Sequence, residues 1–331
     1  MALSNTTPPS PDPSEHSSMG AEEDSVDDMS FQRPTPSPAI VATSPSESTD
    51  PSSPLSLTLS PGLPLTIFQV SFEEIDRLNE QHTMLLKTLG GLHLTRLTSP
   101  SRILDMGCGS GLWIMEMACL WPNALCIGVD EVLEYVAPTD MSNVQFIQAN
   151  LSSPFSSIPM DTGYDFIFHR LVLTTCTGFE WIPHLHGIYH SLVPGGRMEI
   201  QESSGAMARA GPILQQLQED LSFLFPGKGG YLSPEVFRLQ SLIESIGFHD
   251  VSRHIISIPV GTWGGEPGLS ALHAYHGLLN QLRPSLVKKR RVDLADDSAW
   301  SEALTGLAQE VDIYQSYWNL VIYTAERPME D

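Results

Sequence analysis

The 331-residue chain carries 17 basic and 39 acidic side chains, which gives a formal net charge of −22. Because nucleic acids and anionic membranes are polyanions, this charge argues against unaided binding to either and favours a protein or small-molecule partner. The sequence has neither an apolar run of about 20 residues nor a basic and apolar leader, so we expect a soluble, intracellular protein without a membrane span.

The first 64 residues are rich in Ser, Pro and acid and contain little apolar surface to bury. Such a composition does not offset the entropy of ordering, so we expect a disordered acidic tail over 1–64. Its Ser-Pro and Thr-Pro steps are candidate phosphorylation sites, and a plain solvating tail is the alternative interpretation. An ordered domain is expected over 65–331.

A helix is expected after Ser71, where residues 71–74 form a capping box. Apolar residues recur on one face until Gly90 and Gly91 end the helix. His82 lies on that apolar stripe, where it is either a packed core histidine or a side chain turned toward a substrate.

Residues 101–118 predict a strand, a glycine turn and a helix, and the turn has the spacing D-x-G-x-G-x-G. Glycines let the main chain approach a ligand, and the helix directs free N–H groups toward it. The spacing fits neither a dinucleotide fingerprint nor a P-loop. An acid at the strand end repels phosphate but attracts the ammonium group of S-adenosylmethionine. The turn therefore resembles motif I of class I S-adenosylmethionine methyltransferases, with a ligand-free glycine turn as the alternative. The expected contacts to this cofactor are Asp105, Gly107, Cys108, Gly109 and Gly111.

Two further strand ends are candidate cofactor contacts. Asp130 ends an apolar run about 20 residues after the glycines, where a carboxylate accepts ribose hydroxyls; a helix cap or turn is the alternative. Residues 143–151 predict a third strand. Many class I methyltransferases have an acid near its end for the adenine amino group and use the next backbone N–H for the ring. The resemblance implies these roles for Asn150 and Leu151, and the uncharged Asn150 implies weaker binding.

Residues 164–168 predict a fourth strand, which brings His169 and Arg170 to the edge where open α/β sheets bind ligands. Residues 197–202 predict a fifth strand that ends at Glu202. His169, and after it Glu202, are the candidate bases for an acceptor hydroxyl or amine. Alternatively, His169 caps a strand and Glu202 pairs with Arg170. Arg170 and His82 are candidates for the substrate side of the site.

No metal site is expected, because no acid or cysteine accompanies the histidines at zinc-like spacing. The four cysteines form no C-x-x-C pair and are expected to be buried free thiols in a reducing compartment. The histidines that lack zinc-like partners in the sequence are His184, His186, His190, His273 and His276.

The remaining chain predicts two more strands with helices inserted between them, which we expect to form a lid over the acceptor. Lys288–Arg291 holds four of the 17 basic residues. Such a cluster is either a nuclear import signal or a solvated loop. The expected helices are 212–225, 234–246, 269–283 and 298–312, and the expected strands are 251–260 and 317–324.

Several motifs in order resemble the LaeA-like methyltransferases of fungal secondary metabolism. They are Asp76–His82, Asp105–Ile114, Tyr164–Ile167 with Arg170, Gly195–Glu202, Ile258–Trp263 and Ser316–Trp318 with Tyr323, Arg327 and Pro328.

The resemblance implies an α/β, Rossmann-like seven-stranded sheet with helices on both faces. It divides the domain into a cofactor half at about 65–205 and an acceptor or lid half at about 206–331. It also implies methyl transfer from S-adenosylmethionine to a small-molecule metabolite. A nuclear regulator of metabolite gene clusters that acts through protein partners is the alternative, and a cofactor-binding pseudoenzyme is a third. The family often has Asp-Leu-Ser-Pro after the second strand, where this chain has Asp130–Leu133, and acids at Ala149 and Asn150.

Overall fold

The computed structural model of the protein describes residues 70–151, 154–159, 162–172, 181–224 and 234–329. The expected tail over 1–64 and Cys176 lie outside these ranges. Within them, seven strands alternate with helices along the chain. The strands are β1 Arg102–Met106, β2 Leu125–Asp130, β3 Val144–Gln148, β4 Tyr164–Arg170, β5 Leu192–Ala208, β6 His249–Pro259 and β7 Tyr317–Glu326.

The strands form one sheet in the order β3-β2-β1-β4-β5-β7-β6. All pairs among the first five strands are parallel, whereas β7 runs antiparallel to both of its neighbours, β5 and β6. The chain leaves β1 toward β2 and β3 and later returns to β4 on the other side of β1. In an open α/β sheet a ligand crevice lies at such a reversal, at the carboxyl ends of the strands.

Seven α-helices accompany the strands in the described residues: α1 Phe72–Leu89, α2 Leu112–Leu120, α3 Trp181–Ser191, α4 Pro212–Leu224, α5 Leu239–Ile246, α6 Gly265–Lys289 and α7 Asp297–Tyr314. None of them combines the length and the apolar composition needed to cross a bilayer. The expected seven-stranded α/β fold with inserted helices is therefore confirmed.

Two elements, α6 and β5, continue well past their predicted ends. α6 continues through Pro284, although proline removes a helical hydrogen bond; Leu282 and Leu286 on either side are fully buried and stabilise the continuation by packing. β5 extends to Ala208 because it pairs with β7 along most of its length, with one register shift after Ser203.

Alternating side chains of the central strands face opposite layers of helix. Leu104 packs in the cluster that includes Leu185 of α3, whereas Ile103 packs beside Ile114 of α2. A third cluster joins α1, α4, α6 and α7 to the ends of β6 and β7. Of these helices, α1 and α6 contribute side chains to the cavity at the carboxyl ends of the strands.

The segment between α1 and β1 is attached to the sheet by one buried carboxylate. Glu199 of β5 is fully buried and accepts hydrogen bonds from Leu94 N, Thr95 N and Thr95 Oγ1 at 2.9, 2.8 and 2.7 Å. Charge-assisted hydrogen bonds of this kind are stronger than neutral ones. The C-terminal end of α1 is thereby fixed relative to β5.

Candidate cofactor-binding site

The glycine turn lies at the reversal of strand order and is tied to β2. Gly107 N and Cys108 N both donate to Val129 O, at 2.8 and 3.0 Å. Gly107 and Gly109 have φ values of 80° and 54°, in the left-handed region that favours glycine. The main chain therefore projects beyond β1 with no side chain at these two positions.

A cavity of about 210 Å³ lies between this turn and the helices above it. Five of the eight predicted cofactor contacts line its wall: Gly107, Cys108, Gly109, Asp130 and Leu151. The opposite wall is largely apolar and comes from the helical layer and the ends of β5 and β7, including Met207, Ala271, Ala274, Tyr275, Leu278 and Trp318. The cavity thus has a polar sheet side and an apolar lid side.

Asp130 is held against the turn by backbone donors. Its Oδ2 accepts from Gly109 N at 2.8 Å, and its Oδ1 accepts from Val132 N at 3.1 Å. Burial raises the pKa of this carboxyl, and the backbone hydrogen bonds oppose that rise. A carboxylate oxygen has more than one acceptor lone pair, so Asp130 can still accept hydroxyl donors from the cavity.

Asp105 lies behind the turn and does not line the cavity. Its side chain is 2% exposed, and its Oδ2 has no hydrogen-bond partner among the described residues. Burial raises its pKa to about 7, with the charge of Arg170 lowering it and that of Asp130 raising it. An unpaired buried carboxyl of this kind is stabilised by a nearby cation.

Gly111 and Asn150 do not line the cavity either. A Cβ at Gly111 would lie 2.8 Å from Phe146 Cζ, so this glycine is required by packing against β3. Asn150 is exposed, outside the cavity wall.

The amide predicted to serve the adenine ring is already engaged. Leu151 N donates at 3.0 Å to Oε1 of Glu131, whose side chain is 7% exposed and lines the cavity. Sequence reasoning assigned no role to Glu131, although its departure from the family pattern marked the position.

The two substrate-side candidates lie together in the wall. Arg170 donates from Nη2 to His82 Nδ1 at 3.0 Å, so His82 carries its proton on Nε2, which donates to Glu116 Oε2 at 3.1 Å. Burial lowers the pKa of His82, so the ring is neutral at pH 7. Both ring nitrogens are therefore occupied, and His82 is an unsuitable proton acceptor in this arrangement.

The two candidate bases do not line the cavity. His169 and Glu202 are buried and bond to each other, Nε2 to Oε1, at 2.6 Å. Glu202 Oε1 also accepts from Val172 N at 2.8 Å, and His169 Nδ1 lies 3.1 Å from His184 Nε2. Glu202 is thus bonded to His169, where the sequence suggested Arg170. The geometry gives both residues a role in connecting the end of β4 to β5.

Three polar residues of the wall had no assigned role at the sequence level. Glu74 and Arg77 of α1 form a bidentate ion pair with two 2.7 Å hydrogen bonds. Tyr135 is 7% exposed, and its hydroxyl has no hydrogen-bond partner among the described residues. Glu74 belongs to the capping box and Arg77 to the Asp76–His82 motif, but only tertiary packing brings these side chains to the cavity.

The basic cluster is partly engaged in ion pairs. Arg290 and Arg291 bind the fully buried Asp220 of α4 at 2.5 and 2.9 Å, whereas Lys288 and Lys289 are exposed at the end of α6. In the described part of the chain no group of three or more His, Cys, Asp or Glu side chains is placed to hold a metal ion.

The strand order, the antiparallel β7 and a glycine turn at the reversal together define a class I methyltransferase fold. No family model matches the chain. Among solved structures, it is similar to the mycolic acid cyclopropane synthase CmaA1, with 17% identity, 78% of this chain and 92% of that chain covered, and a TM-score of 0.49.

The chain is related in sequence to fungal methyltransferases and to regulators of secondary metabolism. It is 27% identical to the methyltransferase cpsF of Aspergillus campestris, over 67% of this chain and 83% of that protein. It is 26% identical to the secondary metabolism regulator LAE1 of Cochliobolus heterostrophus, over 78% of this chain and 88% of that protein. It is 24% identical to the N-methyltransferase gliN of Aspergillus fumigatus, over 60% of this chain and 73% of that protein.

Proposed function

We propose that the protein is an S-adenosylmethionine-dependent methyltransferase that acts on a small-molecule metabolite of fungal secondary metabolism. Relatives named as methyltransferases support the reaction class. The observation that carries the proposal is the glycine turn, whose bare main chain at Gly107 and Gly109 forms one wall of the cavity beside Asp130.

The residues around the cavity fit the chemical groups of S-adenosylmethionine. Asp105 is buried behind the turn, where its carboxylate places a negative charge near the main chain of the cavity wall, and this charge suits the ammonium group of the methionine head. Asp130 lies beside the turn with acceptor capacity for the sugar hydroxyls. Among the described residues, Arg170 has no carboxylate within 4.0 Å, so it suits an anionic group of the cofactor or of the acceptor.

The cofactor supplies a methyl group on a sulfonium, and transfer is an in-line displacement by the acceptor atom. The protein contributes mainly by binding, alignment and exclusion of water. The apolar lid side, with Met207, Leu278 and Trp318, fits an acceptor with a largely apolar body. Because His82 is neutral with both nitrogens bonded, positioning outweighs general-base catalysis in this arrangement.

Calorimetry with S-adenosylhomocysteine tests the proposal, using Gly109→Ala and Gly90→Ala as a matched pair. Both glycines have positive φ, 54° and 72°, so an alanine strains the backbone similarly at each. A Cβ at Gly109 lies 3.6 Å from Leu78, an ordinary contact, but it enters the cavity wall. A Cβ at Gly90 meets nothing within 4 Å.

We expect the wild type and Gly90→Ala to bind equally and Gly109→Ala to bind at least about tenfold more weakly, the effect of losing close main-chain contact. A wild-type protein that binds neither S-adenosylmethionine nor S-adenosylhomocysteine contradicts the proposed function. Equal binding by Gly109→Ala contradicts the role of the turn.

A regulatory role in the nucleus, through protein partners, is the second candidate. It is supported by the match to LAE1, which spans more of this chain than the match to cpsF does. Replacing Lys288 and Lys289 by neutral residues tests whether the cluster directs nuclear accumulation, and it leaves the ion pairs from Arg290 and Arg291 to Asp220 in place. Loss of accumulation supports import through this cluster, whereas unchanged accumulation contradicts it.

A further inference from the structure

Glu131 presents an uncompensated carboxylate at the cavity. The side chain lines the wall and is only 7% exposed. One oxygen accepts from Leu151 N at 3.0 Å. In the described residues the other oxygen has no hydrogen bond, and no cation lies within 4.0 Å of the carboxylate. Burial raises the pKa of Glu131, the hydrogen bond from Leu151 opposes that rise, and the charge of Asp130 adds to it.

The part of the ligand that Glu131 would face depends on the proposed function, on which this inference rests. If Asp130 binds the sugar, the methionine part lies over the turn and the base lies on the other side of Asp130. The cavity wall there is formed by Glu131, Val132 and Leu151. Asn150, which the sequence assigned to the adenine amino group, lies outside that wall.

The hydrogen bond from Leu151 N to Glu131 also restricts which groups of a nucleobase can bind beside them. Since Glu131 already occupies this amide, a ring nitrogen that seeks a donor there must compete with a carboxylate. A ligand N–H group meets no such competition, because the second oxygen of Glu131 is an open acceptor. This part of the cavity therefore favours a nucleobase that donates a hydrogen bond.

We propose that Glu131 is a specificity-determining residue that accepts a hydrogen bond from the 6-amino group of adenine, in place of the side chain at position 150. The carboxylate then distinguishes a 6-aminopurine from a purine without a donor at that position. Asp130 holds the sugar, and the amide of Leu151 keeps the Glu131 side chain in place.

Two ligands test this assignment: S-adenosylhomocysteine and its 6-deamino analogue, in which hydrogen replaces the amino group. The analogue removes the donor without adding bulk or an acceptor. A hydrogen bond to a charged group predicts that the wild type binds S-adenosylhomocysteine about ten- to a hundredfold more tightly. In Glu131→Gln the ratio is expected to fall to a few-fold, because a neutral amide oxygen is a weaker acceptor.

Glu134→Gln is the matched control, since Glu134 is exposed in the same segment and the charge change is identical. Asn150→Ala tests the rival assignment, and both variants are expected to keep the wild-type ratio. Equal wild-type affinities for the two ligands overturn the proposal, and so does loss of the ratio in Asn150→Ala.

The wild-type ratio requires no variant to fold, so the test does not depend on the stability of Glu131→Gln. A wild type that binds neither ligand contradicts the proposed function itself. Tight binding of S-adenosylhomocysteine with no preference over the analogue contradicts the role of Glu131 alone.

Discussion

We expect the buried Asp105 to make the binding of S-adenosylhomocysteine depend on pH. Burial raises its pKa to about 7 in the unliganded protein. An ammonium group bound nearby favours the ionised carboxylate, so binding releases the proton from Asp105. The affinity for S-adenosylhomocysteine should therefore rise as the pH increases through 7. Replacing Asp105 by asparagine removes the titrating group.

The magnitude follows from the ionised fraction. With a pKa of about 7, the carboxyl is about one-tenth ionised at pH 6 and about nine-tenths ionised at pH 8, so the affinity changes by up to about tenfold, or about 1.4 kcal/mol. The same raised pKa lowers the stability of the unliganded protein as the pH rises, whereas the affinity for the ligand increases. The folded state binds more protons than the unfolded state between about pH 4 and 7, so the free energy of unfolding decreases across that range.

Calorimetry at pH 6, 7 and 8 in two buffers of different ionisation enthalpy measures both the affinity and the protons released. 5′-Methylthioadenosine, which has no ammonium group, is the control ligand and should show a flat profile. Asp105→Asn should bind S-adenosylhomocysteine weakly and without the rise between pH 6 and 8. The reasoning is refuted if the variant keeps the wild-type pH profile, or if 5′-methylthioadenosine shows the same rise.

Two further predictions concern stability. The double variant Arg290→Gln/Arg291→Gln removes both cations that bind the buried Asp220. We expect chemical denaturation to show that the free energy of unfolding falls by about 2 kcal/mol, a value kept low because both arginines are partly exposed. An unchanged denaturation midpoint contradicts the ion-pair role. Gly107→Ala places a Cβ 2.4 Å from Val172 Cγ2 at a φ of 80°, so thermal unfolding should show a loss of about 2–4 kcal/mol; wild-type stability refutes the close packing.

The local elements were predictable because short-range chemistry determines them. One half of the expected capping box forms, with Glu74 N donating to Ser71 Oγ at 3.2 Å, whereas the Glu74 carboxylate accepts from Arg77. Gly90 ends α1 in a left-handed conformation. The glycine turn was predictable for the same reason, since glycines at this spacing permit the positive φ values that Gly107 and Gly109 adopt.

Contacts between distant segments were not predictable in the same way. His169 lies near the end of β4 as expected, but Glu202 lies within β5, which continues to Ala208. The hydrogen bond between the two side chains depends on rotamers that the strand pattern does not fix. The same holds for Glu131, since only the folded chain shows that its carboxylate reaches the amide of Leu151. The helix predicted over 269–283 continues through Pro284 to Lys289, because tertiary packing of α6 overrides the local preference of proline.

The attachment of Glu199 to the segment at Leu94 and Thr95 has a consequence for entry into the cavity. α1 carries Glu74, Arg77 and His82 in the cavity wall, and its C-terminal end is immobilised through this carboxylate. This wall is therefore anchored at both ends, since Gln281 Nε2 of α6 donates to Ser71 Oγ at 3.2 Å. We expect a ligand to enter the cavity without a large displacement of α1.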